Sequence, residues 1–386
     1  MAACEGPTGR QDDRSPGPIV ARHEPESLDH ARRTTMTRRL DTPVKGAQRF
    51  TNIFAITAVV AAFTLIVAKN LPGDTNGQLL NVSYDPTREL YQRLNDEFAA
   101  SYEKSTGKQI TIVQSHGGSS RQARSVINGD QPADVVTLGL FSDIDALRKR
   151  GLIAKGWENR LPNHSNPYTS TIVFVVRKNN PKNIRDWPDL LQPDVQILTP
   201  NPKTSGNGKL SALAAWGAIV TRGGSEADAR AYLRAFYQRV PVMDEGARSS
   251  AMTFAAGEVG DVHLTWENEA IREAAEANGA LEVVYPPVSI LAEPYVAWVD
   301  ANVDRRGTRA VAQAYLQFLF TDSAQQIIAQ LGYRPYRQQT GPRPSNHLPR
   351  ISLFPITAIA HDWDDAQEKF FGENGIIDSV TGLHSK

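Results

Sequence analysis

Val195-Gln196-Ile197-Leu198-Thr199-Pro200-Asn201-Pro202-Lys203-Thr204-Ser205-Gly206-Asn207-Gly208-Lys209 carries the chain from a short strand-like run, 195–199, through a turn into a helical run, 210–220. Pro, Asn, Ser and Gly each favour such a turn for their own backbone or side-chain reason. A strand that turns straight into a helix aims the first N–H groups of the helix, which lack intrahelical acceptors, at one point. The helix dipole favours negative charge at that point. The stretch therefore reads as an anion cradle on an α/β fold. An ordinary surface turn has the same composition, so the reading depends on whether other turns of the chain share it. It is not a phosphate-binding P-loop, because Lys209 is followed by Leu210 and position 203 holds Lys where that motif has its first Gly.

A second turn of the same make lies upstream. Residues 109–114 alternate as a strand and run into Ser115-His116-Gly117-Gly118-Ser119-Ser120, ahead of a helix with apolar Ala123, Val126 and Ile127. The serines and turn N–H groups donate, and the glycines let a ligand approach the backbone closely. Pairing His116 with a serine as base and nucleophile is the catalytic alternative, but the G-x-S-x-G elbow is lacking. Further upstream, a strand at 79–83 meets Asp85-Pro86, an N-cap and a first-turn proline. Leu90, Leu94, Phe98 and Tyr102 then mark one helix face down to Gly107. Downstream, a short strand at 240–243 precedes Asp244-Glu245-Gly246-Ala247-Arg248-Ser249-Ser250, in which Arg248 reads as a solvated neighbour of the turn rather than an anion ligand. A strand at 262–265 then opens on Trp266-Glu267-Asn268-Glu269, where a buried indole N–H needs a partner.

The remaining pattern alternates strand-like and helix-like runs, as an α/β fold requires. Strands are expected at 133–140 and 169–177, the second as a central parallel strand, and helices at 142–150, 308–320, 323–331 and, closing the chain, 362–371. Residues 334–349 read as a surface loop. The 386 residues suggest two lobes, and 42 basic against 42 acidic side chains exclude recognition of nucleic acid through a large field. Cys4 is the single cysteine and the eight histidines are scattered, so no thiolate, metal-site or cofactor motif is present. Residues 1–50 have no apolar period and read as a disordered tail. Arg38, Arg39, Lys45 and Arg49 then precede uncharged residues 53–68, so 51–68 reads as a signal peptide or signal anchor, with Met36 as an alternative start. At ~1.5 Å per residue the apolar run spans roughly 24 Å, short of the ~30 Å hydrocarbon core.

Five collinear stretches carry a resemblance. They are Leu80-Asn81-Val82-Ser83-Tyr84-Asp85-Pro86-Thr87-Arg88-Glu89-Leu90, Gln114-Ser115-His116-Gly117-Gly118-Ser119, Pro167-Tyr168-Thr169-Ser170-Thr171-Ile172-Val173-Phe174, Thr199-Pro200-Asn201-Pro202-Lys203 and Trp266-Glu267-Asn268-Glu269-Ala270. From about Leu79 to the C-terminus the chain resembles the periplasmic sulfate-binding proteins of bacterial ABC importers. The resemblance implies a two-lobed type II binding-protein fold that closes on one dehydrated oxyanion in the cleft. Lobe 1 would span about 79–165 and 266–335, lobe 2 about 166–265, with the C-terminal segment packing across both. It assigns to sulfate, or thiosulfate, the N–H of Asp85, the hydroxyl and N–H of Ser119, the hydroxyl of Ser205, the N–H groups of Gly206, Asn207 and Ala247, and the Trp266 indole. Position 207 departs from the Gly-Gly often found there and puts an asparagine side chain near the ligand. The implied partner is an ABC permease, the implied state a periplasmic monomer, and no catalytic residue, cofactor or metal is implied. An exported sulfate- or phosphate-ester hydrolase, with Ser119 or Ser205 as nucleophile, and a membrane-tethered oxyanion sensor are the competing readings.

Overall fold

The computed structural model describes residues 77–337 and 348–382. The readings of 1–50, 51–68 and Met36 lie outside them. Strand β1 (Gln78–Tyr84) passes through a 3-10 turn (Asp85–Thr87) into α1 (Arg88–Thr106), β2 (Thr111–Gly117) into α2 (Ser119–Asn128), and β3 (Val135–Leu138) into α3 (Phe141–Lys149). Next come β4 (Tyr168–Thr169), β5 (Ile172–Arg177), β6 (Ile197–Leu198), α4 (Gly206–Val220), α5 (Glu226–Tyr237) and α6 (Ala247–Ala255). They are followed by β7 (Val262–Trp266), α7 (Glu267–Glu276), β8 (Leu281–Val284), β9 (Val288–Ile290) and β10 (Tyr295–Trp298). The chain ends through α8 (Asp300–Arg306), α9 (Arg309–Phe318), α10 (Asp322–Gln330), β11 (Arg334–Pro335), β12 (Ser352–Phe354) and α11 (Ile376–Thr381).

Two four-stranded sheets organise these elements, one in the order β10-β3-β1-β2 and the other β6-β7-β5-β8. In the first, β1 runs parallel to β2 and β3, and β10 is antiparallel to β3. In the second, β6 and β7 are parallel while β5 is antiparallel to both β7 and β8. Each sheet is covered on both faces: Leu79, Leu94 and Tyr315 mark one side of the first and Val82, Val136 and Leu147 the other. Phe174, Leu213 and Trp216 lie on one side of the second, and Val173, Val175 and Phe254 on the other. Burial on both faces explains why 172–176 is continuously apolar. That pattern made 169–177 look like a central parallel strand; it is central, but antiparallel, because burial alone does not record strand direction. A break after Thr169 also sets β4 apart from β5.

The α1 periodicity is realised. Leu90, Leu94 and Phe98 are buried, and Gly107 ends the helix at φ 70°, its N–H on the Glu103 carbonyl at 2.8 Å. Asp85 is not its N-cap; it opens the 3-10 turn, and its carboxylate accepts from Arg88 at 2.8 Å. Residues 240–243 form no strand. Strand β8 pairs with β5, so 267–284 stays beside the second sheet, and the chain rejoins the first sheet at β10. The stretch expected as a loop from 334 opens with β11, paired to β4, and its residues 338–347 lie outside those described. The expected helix at 362–371 is a short turn (Trp363–Ala366) running into a π-helical turn (Gln367–Phe371), and α11 lies beyond it. This C-terminal segment packs into the core of the second sheet. Phe354 sits where a Cβ on Gly217 would come within 2.0 Å of its ring, and Phe370 meets Trp216 edge-on at 5.1 Å. Before the crossing into β4, Asn163, His164 and Ser165 hold φ of 49°, 54° and 61°, three consecutive left-handed residues with side chains. No helix of the described residues is long and apolar enough to cross a membrane.

Candidate functional site

The cradle and its counterparts meet. Tyr84, Asp85 and Pro86, then Gly117, Gly118 and Ser119, then Ser205, Gly206 and Asn207, and finally Ala247 and Trp266 line one small cavity of about 10 Å³. All seven residues singled out in the sequence line it. Such a space is too small for an ordinary organic substrate, whose pockets run to ~300 Å³ or more. The walls come from the carboxyl ends of β1, β2 and β7 and from the turn after β6, where open α/β sheets place their ligands.

Helix starts supply the donors. Ser119 is the first residue of α2, Gly206 and Asn207 are the first two of α4, and Ala247 is the first of α6. Their N–H groups precede any intrahelical acceptor. Among the described residues these N–H groups, and that of Asp85, have no backbone or side-chain partner. Ser205 caps α4 by accepting from the Gly208 N–H at 3.4 Å, which leaves its own proton without an acceptor. Trp266 ends β7 and caps α7; it is fully buried, and its Nε1–H has no partner among the described residues. The indole is held by the Tyr84 ring at 5.1 Å and by Gly139, where a Cβ would stand 3.3 Å from the indole edge.

Close approach of the segments demands glycine. A Cβ on Gly118 would lie 2.5 Å from the Thr204 carbonyl oxygen, one on Gly206 3.1 Å from the Ser119 Cβ, and one on Gly208 2.3 Å from the Pro200 carbonyl oxygen. The Thr204 hydroxyl donates to the Glu245 carbonyl at 2.8 Å, tying the 200–209 turn to the 244–250 turn.

Two side chains differ from expectation. The Ser119 hydroxyl donates to Asp143 Oδ2 at 2.6 Å and accepts from the Gly139 N–H at 3.0 Å, so only its backbone N–H stands unpaired. A buried carboxylate is a strong acceptor and takes the Ser120 hydroxyl as well, at 2.8 Å. The Asn207 amide donates to the Leu264 carbonyl at 2.9 Å, bracing α4 against β7. Asp143 is a residue that sequence reasoning missed. An aspartate in the first turn of a helix carries no signal of its tertiary partner. Tyr84 was missed for the same reason, whereas the Gly117-Gly118 pair did advertise its backbone approach.

The cations around the cavity are engaged elsewhere. Arg88 is held by Asp85, Arg121 by Glu245, and Arg248 by Glu89 at 2.9 Å. Lys203 pairs with Asp378 at 2.6 Å, and Lys209 donates to Gln367 at 2.9 Å and lies 3.8 Å from Asp143. Burial pushes the Lys209 ammonium below its ordinary range, partly opposed by Asp143. Arg248 is thus an ion-pair partner rather than a solvated one. His116 does not reach Ser119: its ring nitrogens face the Tyr84 carbonyl at 3.2 Å and Gln114. Burial also holds its pKa below 6.5. What remains facing the cavity, among the described residues, is a set of backbone, hydroxyl and indole donors that His116 does not serve as a base.

Residues 83–334 match the family described as bacterial extracellular solute-binding proteins. This chain belongs to that family. As a solute-binding protein it is 47% identical over 328 residues to the sulfate-binding protein of Escherichia coli K12, covering 84% of this chain and 97% of the relative. It is 46% identical over 304 residues to the thiosulfate-binding protein of Pseudomonas aeruginosa, covering 78% and 91%. Among solved structures, the sulfate-binding protein SubI from Mycobacterium tuberculosis H37Rv superposes with a TM-score of 0.67 at 29% identity, over 76% of this chain and 99% of that one. The type II binding-protein fold and the role of a non-enzymatic binding component follow from these relationships.

Proposed function

We propose that this solute-binding protein captures sulfate outside the cytoplasmic membrane and delivers it to an ABC permease, acting as a monomer. The observation that carries this reading is the Trp266 indole N–H, buried and unpartnered beside the unpaired N–H groups of three helix starts. Asp85, Ser119, Gly206, Asn207 and Ala247 would bind through backbone N–H groups, Ser205 through its hydroxyl and Trp266 through its indole. A dianion taken from water costs many kcal/mol unless compensated; ~0.5 positive charge at each helix N-terminus and charge-assisted hydrogen bonds supply the compensation. Hydrogen phosphate brings an O–H that meets only donors, at a cost of ~1–3 kcal/mol or more.

The two sheets would be the cores of two lobes, with the crossings at Pro167–Ser170 and between β9 and β10 as hinge strands and closure read by the permease. Isothermal titration of residues 69–386 with sulfate, thiosulfate, molybdate and phosphate at one pH and salt tests the reading. One-to-one sulfate binding with phosphate silent is expected. Thiosulfate bound more tightly than sulfate would reassign the ligand, and silence from all four would remove the oxyanion reading.

A further inference from the structure

The cradle's two lysines frame its anion-facing turn, yet both are turned onto the C-terminal segment. Lys203 Nζ lies 2.6 Å from Asp378 Oδ1 and donates to the Phe371 carbonyl at 3.1 Å. Lys209 Nζ donates to Gln367 at 2.9 Å and lies 5.2 Å from the centre of the Phe371 ring. The pair is shielded: the Asp378 side chain is 3% exposed and that of Lys203 19%. Its carboxylate is itself held, since Oδ2 accepts from the Asn374 N–H at 3.0 Å. Between the lysines lie Ser205, Gly206 and Asn207, whose unpaired donors face the cavity. Lys203 is two residues before Ser205, in a loop also tied by Lys203 N–H to Asn201 Oδ1 at 2.8 Å, Asn201 N–H to the Asp244 carbonyl at 2.7 Å, Ser205 N–H to the Asn201 carbonyl at 2.9 Å, the Thr204 hydroxyl to the Glu245 carbonyl at 2.8 Å and Arg124 to the Lys203 carbonyl at 3.4 Å.

We propose that Lys203 and Asp378 are positioning residues that fix the aim of the α4 N-terminus, which makes the C-terminal segment a working support of the binding site. The proposal rests on the sulfate reading above. Donors to a dehydrated anion act only if held near their bonding geometry before the ligand arrives, because reorganising them on binding consumes the interaction. A lysine left free beside the cradle would offer a mobile charge. Fixed to a buried carboxylate 175 positions away in the chain, it serves as a strut instead.

The test compares the full chain with Asp378→Asn, Lys203→Met, the double variant, Asp378→Glu and Asp364→Asn. Asn at 378 keeps an acceptor for the Asn374 N–H while removing the charge. Sulfate titration should show each single variant about tenfold weaker and the double variant no weaker than either, as coupled residues behave. Asp378→Glu should recover part of the affinity. Asp364→Asn, on the same segment but in an exposed pair with Lys149, should bind as the unaltered protein does. Hydrogen exchange without sulfate should quicken at the bonded amides of 205, 208 and 209 in Asp378→Asn and Lys203→Met. Unchanged affinity, additive losses in the double variant, or unchanged exchange at these amides would each overturn the proposal. If the unaltered protein ignores sulfate, the sulfate reading fails separately, and the exchange measurement alone still decides whether the pair holds the cradle.

Discussion

Replacing Trp266 with Phe separates the ligand's share of the site from the protein's own. The ring is fully buried, tilted at 48° against the Tyr84 ring 5.1 Å away, and its Nε1–H has no partner among the described residues. Phe keeps the aromatic contact and deletes the donor. In the ligand-free protein two effects oppose: the smaller ring costs about 1 kcal/mol in packing, while removing an unsatisfied buried donor returns about 1–3 kcal/mol. Ligand-free stability should therefore shift by no more than ~1–2 kcal/mol. Binding should lose about 1.5–3 kcal/mol, the worth of a hydrogen bond to a charged group, which is about 10- to 150-fold in Kd. At sulfate equal to 100 times the original Kd, ligand stabilisation should fall from about 2.7 to about 0.3–1.4 kcal/mol. Denaturant unfolding with and without sulfate, together with titration calorimetry, reads both quantities. Sulfate affinity equal to that of the parent protein would refute the reasoning, since the unpartnered indole would then serve something other than the anion.

Gly208→Ala should destabilise the protein by about 1–3 kcal/mol and weaken sulfate binding, because its Cβ would stand 2.3 Å from the Pro200 carbonyl oxygen; an unchanged denaturation midpoint would show that the turn can yield. His164→Gly should raise stability by about 0.5–1 kcal/mol, the relief of a left-handed residue at φ 54° less the added freedom of the unfolded chain, and a loss of stability on denaturant titration would contradict it. His116 gives a pH prediction. Burial, more than any neighbouring charge, holds its pKa below 6.5, so the unfolded chain takes up a proton that the folded one resists. Stability should fall as pH drops below about 6.5, until the folded pKa is reached, and should be less pH-sensitive there in His116→Asn. Matching pH profiles for the two proteins would remove His116 as the cause.

The sequence by itself determined the local devices. Small-residue turns between strands and helices, Asp85-Pro86, Gly117-Gly118, the Ser205 cap and Trp266 at a strand end each advertise their backbone consequence within a few residues, and together they named seven residues that line the cavity, though not Tyr84, which lines it as well. A neutral charge balance and the absence of a metal motif narrowed the chemistry further. Tertiary structure decided what depends on partners distant in the chain. Burial patterns cannot distinguish parallel from antiparallel neighbours, so β5 was misread in direction. A hydroxyl donates to whichever acceptor folding brings near, so the Ser119 proton went to Asp143, 24 residues away, rather than into the cavity. Where the charges of Lys203 and Lys209 go is decided only when Asp378 and Gln367 are packed against them. Backbone donors follow from local conformation and are legible in a turn of ten residues; the direction of a side-chain proton or charge follows from long-range packing.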